Sequence, residues 1–183
     1  AFGAADEADR QWQVPAFLLS QIVALSLRGI PAVYIHSLLA TPNDHIGVER
    51  TGLTRAINRR KWDRGELEGL LADPDTTSGR VFNRYRRLLQ IRRRQPAFHP
   101  DVAQRTLGLE DGLFGVERSA TDAGQRLLAV FNFTRQERRV ATTVLADGLA
   151  AWTELIGEAA VNIDQGELVL PPYAAYWFSD TRL

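Results

Sequence analysis

The sequence predicts two architectures joined end to end: an α/β unit over residues 1–96 and an antiparallel β-sandwich over 97–183. Three observations carry this. A long apolar helical stretch leads, across a Gly-Ile-Pro turn, into a short apolar run of strand type. A second long helical period stops at Pro96, where a proline ends regular helix. Beyond it the apolar residues change to alternation broken by turn residues.

The first helix is expected over residues 11–27, where Trp12, Ala16, Leu19, Val23 and Leu27 recur at helical spacing. Phe17, Leu18, Ile22 and Leu25 widen that stripe until the helix is apolar nearly all round, which implies burial on more than one side. Pro15 belongs in a first turn, so the regular helix is expected to start close to it. Gly29 and Pro31 supply the stop. Residues 32–35, Ala-Val-Tyr-Ile, then read as a strand buried on both faces, as parallel strands are.

Residues 36–63 are long, polar and without sustained period, yet anchored by Leu38, Leu39, Ile46, Val48, Leu53, Ile57 and Trp62. A loop of that length in a compact domain is functional or disordered, and its apolar anchors favour order. Placed directly after a parallel strand, it would lie at the carboxyl edge of the sheet, where α/β proteins keep their sites. Asp63 and Glu66 form a capping box for a short helix to about residue 71. Residues 73–78 are a turn-forming linker. A second long helix over 79–94 follows, with Val81, Phe82, Tyr85, Leu88, Leu89 and Ile91 as its apolar face. Its many arginines read as a solvated face and as packing. In the second half, alternating Leu107 and Leu109, a Glu110-Asp111-Gly112 turn, and apolar runs at 113–116, 127–133, 138–144, 152–155, 167–170 and 174–178 are strand candidates. Trp152 and Trp177 are expected in the sandwich core.

Lys+Arg and Asp+Glu are equal at 22 each, which argues against a general affinity for nucleic acid. With no cysteine, thiolate metal sites, disulfides and a cysteine nucleophile are excluded, and three scattered histidines offer no metal-ligating spacing. The absence of disulfides fits a reducing, cytoplasmic setting. No apolar run is clean enough to span a bilayer, and no targeting segment opens the chain.

Three pieces of the second half, LLAVFNFT (127–134), WTELIGE (152–158) and GELVLPPYAAYWF (166–178), resemble the C-terminal β-domain of the α-amylase superfamily, glycoside hydrolase family 13. Residues 26–63, with GIPAVYIHSLL, PND and RAINRRKW, resemble the last barrel strand and following loop of its sucrose phosphorylase subfamily. The ERTG and RRKW wording is similar to the glucosylglycerate-type phosphorylases within it, and the GDE-like motif of ordinary amylases is absent. The resemblance implies the last helix, strand and helix of a TIM (β/α)8 barrel, then a β-sandwich. It implies a retaining enzyme that moves glucose from an α-glucoside to phosphate, with no metal or organic cofactor. A complete barrel needs roughly 250 residues. The family's catalytic carboxylates would lie upstream, so no catalytic residue is assigned in this chain, and its partner would be the upstream barrel segment. A sucrose hydrolase or glucosyltransferase of the same superfamily, and a non-catalytic scaffold or binding module, are the alternatives.

Five residues are candidates for substrate binding. Arg55 matches, by resemblance, the arginine that pairs with an early-barrel aspartate at the bottom of the glucose pocket, a task suited to a planar five-donor fork. Asn43 and Asp44 offer an amide and a carboxylate to sugar hydroxyls, although Pro-Asn-Asp is also ordinary turn chemistry. Arg59, one helical turn beyond Arg55 if the stretch is helical, could draw phosphate or an anionic acceptor. His36 ends the expected strand, where a site would begin, or serves only structurally. Glu49 is not assigned the acid/base role.

Overall fold

The computed structural model describes residues 7–157 and 160–181. Five helices come first: α1 (Glu7–Ser26), α2 (Ile35–Leu38), α3 (His45–Thr51), α4 (Arg64–Ala72) and α5 (Thr77–Arg92). Eight strands follow, β1 (Ala103–Thr106), β2 (Leu113–Ala120), β3 (Gln125–Asn132), β4 (Arg138–Ala141), β5 (Thr153–Glu154), β6 (Asn162–Asp164), β7 (Glu167–Leu170) and β8 (Ala175–Ser179). One further short helix, α6 (Thr142–Leu145), lies between β4 and β5. The chain divides into two compact units, residues 1–18 with 32–87, and residues 19–31 with 88–183.

In the first unit the helices depart from expectation in two ways. α1 does not begin near Pro15 but carries it in its interior. The proline removes the N–H that would bond the Gln11 carbonyl, so one rung is lost while the helix runs on at both sides. The expected strand at 32–35 is not formed. Tyr34 is extended (φ −78°, ψ 133°) and leads straight into α2, and among the described residues no strand precedes β1. A strand is held by hydrogen bonds to a neighbour, and none of the described strands pairs with this segment. Tyr34 and Ile35, expected to be buried, are 48% and 53% exposed. Of the expected capping box one half forms: Asp63 caps α4 by accepting from the Glu66 backbone N–H at 3.0 Å, while the Glu66 carboxylate pairs with Arg60. α5 buries Val81, Tyr85 and Leu88, one face of a 3.6-residue period.

The second unit is a sandwich of two antiparallel sheets, ordered β1-β2-β3-β8-β5 and β4-β7-β6. β3 is central in the larger sheet. It pairs Leu113↔Asn132 through Ala120↔Gln125 on one side and Leu127↔Ser179 through Phe131↔Ala175 on the other. Leu128 and Val130 of β3 meet Val140, Leu168, Leu170, Tyr176 and Phe178 in one apolar core, with Trp152 packed against it. Trp177, expected in that core, is wholly buried outside it, its ring edge-on to Phe98 with centroids 4.7 Å apart. The strand expected over 138–144 stops at Ala141, and α6 takes the remainder. β6, which sequence reading missed, reaches β7 through a tight turn with Gln165 (φ 49°) and Gly166 (φ 83°), both left-handed as a two-residue hairpin requires.

The carboxyl end of α1 is seated in this unit. Helix ends leave carbonyls without intrahelical partners and carry partial negative charge. Here Arg92 donates to the Leu25 carbonyl (2.8 Å), and Arg118, fully buried, donates to those of Ser26 (3.2 Å) and His99 (2.8 Å). The indole N–H of Trp177 donates to the Ser26 hydroxyl at 2.7 Å. Burial, with the neighbouring Arg92 and Arg28 charges, lowers the Arg118 pKa. Along the helix Leu19, Ile22, Leu25 and Ser26 are buried, while Ser20 and Ala24 face solvent.

Candidate functional site

The stretch expected to be a long functional loop is ordered by its own hydrogen bonds. Tyr34 donates its hydroxyl proton to the Asn58 carbonyl (2.8 Å), and the Asp44 N–H reaches the Ile57 carbonyl (2.7 Å). These two bonds fasten the start of the stretch to a 3₁₀ turn, Thr54–Asn58, near its end. Between them Asp44 caps α3 by accepting from the Gly47 N–H at 2.8 Å. Gly47 is buried against that cap, and a Cβ there would collide with the Asp44 carboxylate. Gly52, left-handed at φ 65°, closes α3 with an N–H to the Val48 carbonyl.

The folded stretch and Phe17 of α1 line a half-open pocket of about 170 Å³, whose other walls are Tyr34, His36, Ser37, Thr41, Asn43 and Asn58. A hydroxyl sits in its wall with two nitrogens around it. Thr41 Oγ1 accepts from the Trp62 indole N–H (3.1 Å) and lies 3.0 Å from His36 Nδ1. The ring of Tyr34 stands edge-on to that of His36, with centroids 5.2 Å apart. Trp62 is itself covered by Arg60, whose guanidinium carbon lies 3.9 Å from the ring centroid and which also pairs with Glu66 at 2.6 Å.

Two of the five sequence-predicted site residues, His36 and Asn43, line this cavity together. Asp44 stands next to Asn43, half-buried, with its carboxylate engaged as the cap of α3. Arg55 is exposed on the 3₁₀ turn, and Arg59 is exposed just beyond it. The turn has three residues per revolution, so residues four apart do not stack as they would on an α-helix. Neither arginine lines the cavity. Tyr34, Thr41, Asn58 and Trp62 were not picked out as site residues. Tyr34 was hidden by its place in an apolar run, and Thr41 by the absence of any motif that marks a bridging hydroxyl.

No Asp or Glu lines the cavity. Among the described residues there is no group of three or more His, Cys, Asp or Glu side chains able to hold a metal ion, and no helix is long and apolar enough to cross a membrane. A larger, open depression of about 690 Å³ in the second unit is lined by His99, Asp101, Thr121 and Asp122 beside small apolar residues. Its histidine and Asp101 are 4.0 Å apart and mostly solvated.

No protein-family profile matches the sequence. Curated relatives do. The chain is 45% identical over 102 residues to a glucosylglycerate phosphorylase of Allomeiothermus silvanus, a match covering 56% of this chain and 18% of the relative. It is 33% identical over 171 residues to the glucosylglycerate phosphorylase of Escherichia coli, covering 93% of this chain and 29% of that protein. The chain belongs to glycoside hydrolase family 13, the α-amylase superfamily. It spans less than a third of the length of the curated relatives it matches. The family's fold is seen in solved structures too. The trehalulose synthase of Pseudomonas mesoacidophila superposes on 94% of this chain and 39% of its own length, with TM-score 0.68 and 20% identity. An isomaltulose synthase variant from Erwinia rhapontici, crystallised with D-glucose, covers 93% of this chain and 39% of its own, with TM-score 0.66 and 19% identity. The likeness establishes the expected class, the end of a family 13 barrel followed by an antiparallel β-sandwich.

Proposed function

We propose that this chain is the C-terminal part of a retaining α-glucoside phosphorylase that transfers glucose to phosphate, of the glucosylglycerate type. The observation that carries this reading is the run of glucosylglycerate phosphorylases among its relatives, at 33% to 45% identity. In this reading residues 1–96 finish the barrel and 97–183 form the β-sandwich. The remainder of the barrel supplies the nucleophile, the acid/base and the third carboxylate, so the 183 residues are inactive by themselves. Phosphate replaces water as the group that attacks the glucosyl-enzyme, and glucose 1-phosphate is the product. Such an enzyme works where phosphate is plentiful and its sugar phosphate is consumed, which with a cysteine-free chain favours the cytoplasm.

Roles for the loop follow from charge and exposure. Arg55, exposed on its turn, is available to hold a barrel aspartate and sugar hydroxyls together. Arg59, likewise exposed, is placed to attract phosphate or the carboxylate of glycerate. His36 and Asn43 contribute neutral hydrogen bonds to substrate, and Asp44 fixes Asn43 by capping α3.

The test is the donor preference of the full protein, followed as glucose 1-phosphate released from glucosylglycerate and from sucrose in the presence of phosphate. Faster release from glucosylglycerate supports the reading, and preference for sucrose moves it to the sucrose type. Free glucose with no phosphate dependence would replace the phosphorylase by a hydrolase or transferase.

A further inference from the structure

Thr41 Oγ1 has one proton to give and two lone pairs to offer. The indole of Trp62 can only donate, so it occupies one lone pair from 3.1 Å. His36 Nδ1 lies 3.0 Å from the same oxygen. If Nδ1 carried a proton, the oxygen would receive two donors, and its own proton would need a third partner that no described residue provides. If Nδ1 is bare, the hydroxyl proton bonds to it and every group is satisfied. The chain Trp62 → Thr41 → His36 thus favours the tautomer with its proton on Nε2.

We propose that Trp62 and Thr41 act as positioning residues that hold His36 as a neutral Nε2–H donor, and that this donor, with Asn43 and Ser37, receives the hydroxyl oxygens of a single sugar ring or polyol. The ligand half of this statement rests on the glucoside reading above. The cavity walls support it. The side chains of Asn43 and Ser37 and the Nε2 atom of His36 have no hydrogen-bond partner among the described residues, and all three residues line the same space. None of the lining residues carries a formal charge, with His36 neutral, so the cavity suits hydroxyls and gives an anion such as phosphate no counter-charge. At about 170 Å³ it holds roughly the volume of five or six waters, which suits one ring and not a disaccharide. Arg55 and Arg59, outside it, are left for the anionic part of the substrate.

The tautomer is read directly by long-range proton–nitrogen NMR of the 183-residue chain at about pH 8, where an ordinary imidazole is neutral. The His36 signals are assigned by their loss in His36→Gln. Nδ1 is expected to be the bare nitrogen and Nε2 the protonated one. Thr41→Ser should preserve this pattern, and Thr41→Val should average the two nitrogens. Trp62→Phe, which removes the indole donor and keeps the hydroxyl, gives a second reading should Thr41→Val not fold. Glucose added to the wild-type chain should move the Nε2–H signal saturably, and inorganic phosphate should not. Thr41→Val should weaken the glucose response about tenfold, the scale of one lost hydrogen bond. A proton on Nδ1 in the wild-type chain would overturn the relay. Equal response to glucose and phosphate, or none to glucose, would overturn the ligand assignment. Neither result depends on phosphorolysis by the full protein, so failure here is distinguishable from failure of the proposed function.

Discussion

Arginine serves opposite ends in the two compact units. In the second unit, Arg92 and Arg118 are drawn in among backbone carbonyls and lock the end of α1 to the sandwich. In the first, Arg55 and Arg59 stay exposed on and beside a 3₁₀ turn that is itself well fastened. A similar contrast separates the apolar residues of the central strand from those of the first unit's loop. Leu127 through Phe131 of β3 are wholly buried, whereas Ile35, Ile46 and Leu53 in the first unit are 53%, 76% and 49% exposed. β3 and the carboxyl end of α1 find their partners within the second unit, although Arg118 Nε is buried without a hydrogen-bond partner and Ile30 is 85% exposed there. The side chains named in the first unit stay in solvent. A side chain's chemistry therefore does not decide between scaffold and site. The supply of partners around it does.

The comparison can be broken first at its strongest point. Trp177→Ala removes a wholly buried indole and its bond to Ser26, and should cost about 4 kcal/mol in urea unfolding of the chain. A loss under about 1 kcal/mol would show that the seat of α1 is not part of the sandwich's stability. Asn132→Ala is next. Its amide nitrogen, with two protons to share among them, lies 2.7, 3.0 and 2.9 Å from the carbonyl oxygens of Gln136, Leu170 and Pro171, and its oxygen accepts from Thr134. Orphaning these groups should cost about 2–3 kcal/mol.

In the first unit, Gly47→Ala drives a methyl group into the Asp44 carboxylate and should remove the cap of α3, a local loss of about 1 kcal/mol. Hydrogen exchange should quicken at residues 45–58 and stay unchanged in β3 and β8; quickening in both places would erase the division between the units.

Acid reports a smaller term. Burial alone would raise the Glu117 pKa, but hydrogen bonds from Arg105 and Arg126 outweigh it and hold the carboxyl below its usual range. A depressed folded pKa gives stability that is present above the unfolded value, about 4.3, and is lost as pH falls through the folded one. Glu117→Gln should therefore lower stability at neutral pH by up to about 1 kcal/mol and flatten the decline below about pH 4. Smallest of all, Ile35→Ser should change the stability of this chain by no more than about 0.5 kcal/mol, because the residue is already half exposed. The same change in the full protein should cost several times more if the barrel covers it.

The sandwich was legible because its signals are local. The apolar runs over 113–116 and 127–133, the Asp-Gly turn, and the Gly-Glu-Leu-Val-Leu run each mark strand or turn within a few residues. The capping pair Asp63 and Glu66 was legible for the same reason. What failed depended on distant partners. Ala-Val-Tyr-Ile has strand composition but no strand beside it, so it forms none among the described residues. Pro15 was read as a start because a proline disfavours helix locally, while packing of Leu19, Ile22 and Leu25 holds the helix together beyond it. His36 and Asn43, which line the cavity, were singled out from their place after the expected strand. Thr41 and Trp62 meet across 21 positions, a pairing that only the folded loop reveals.

The proposal that this chain completes a phosphorylase whose catalytic carboxylates lie outside it is checked by comparing the 183-residue chain with the full protein. Both would be given glucosylglycerate and phosphate, and glucose 1-phosphate followed. Release by the full protein and none by the chain alone is the expected result. Release by the chain alone would contradict it, since that would place the catalytic carboxylates within these 183 residues.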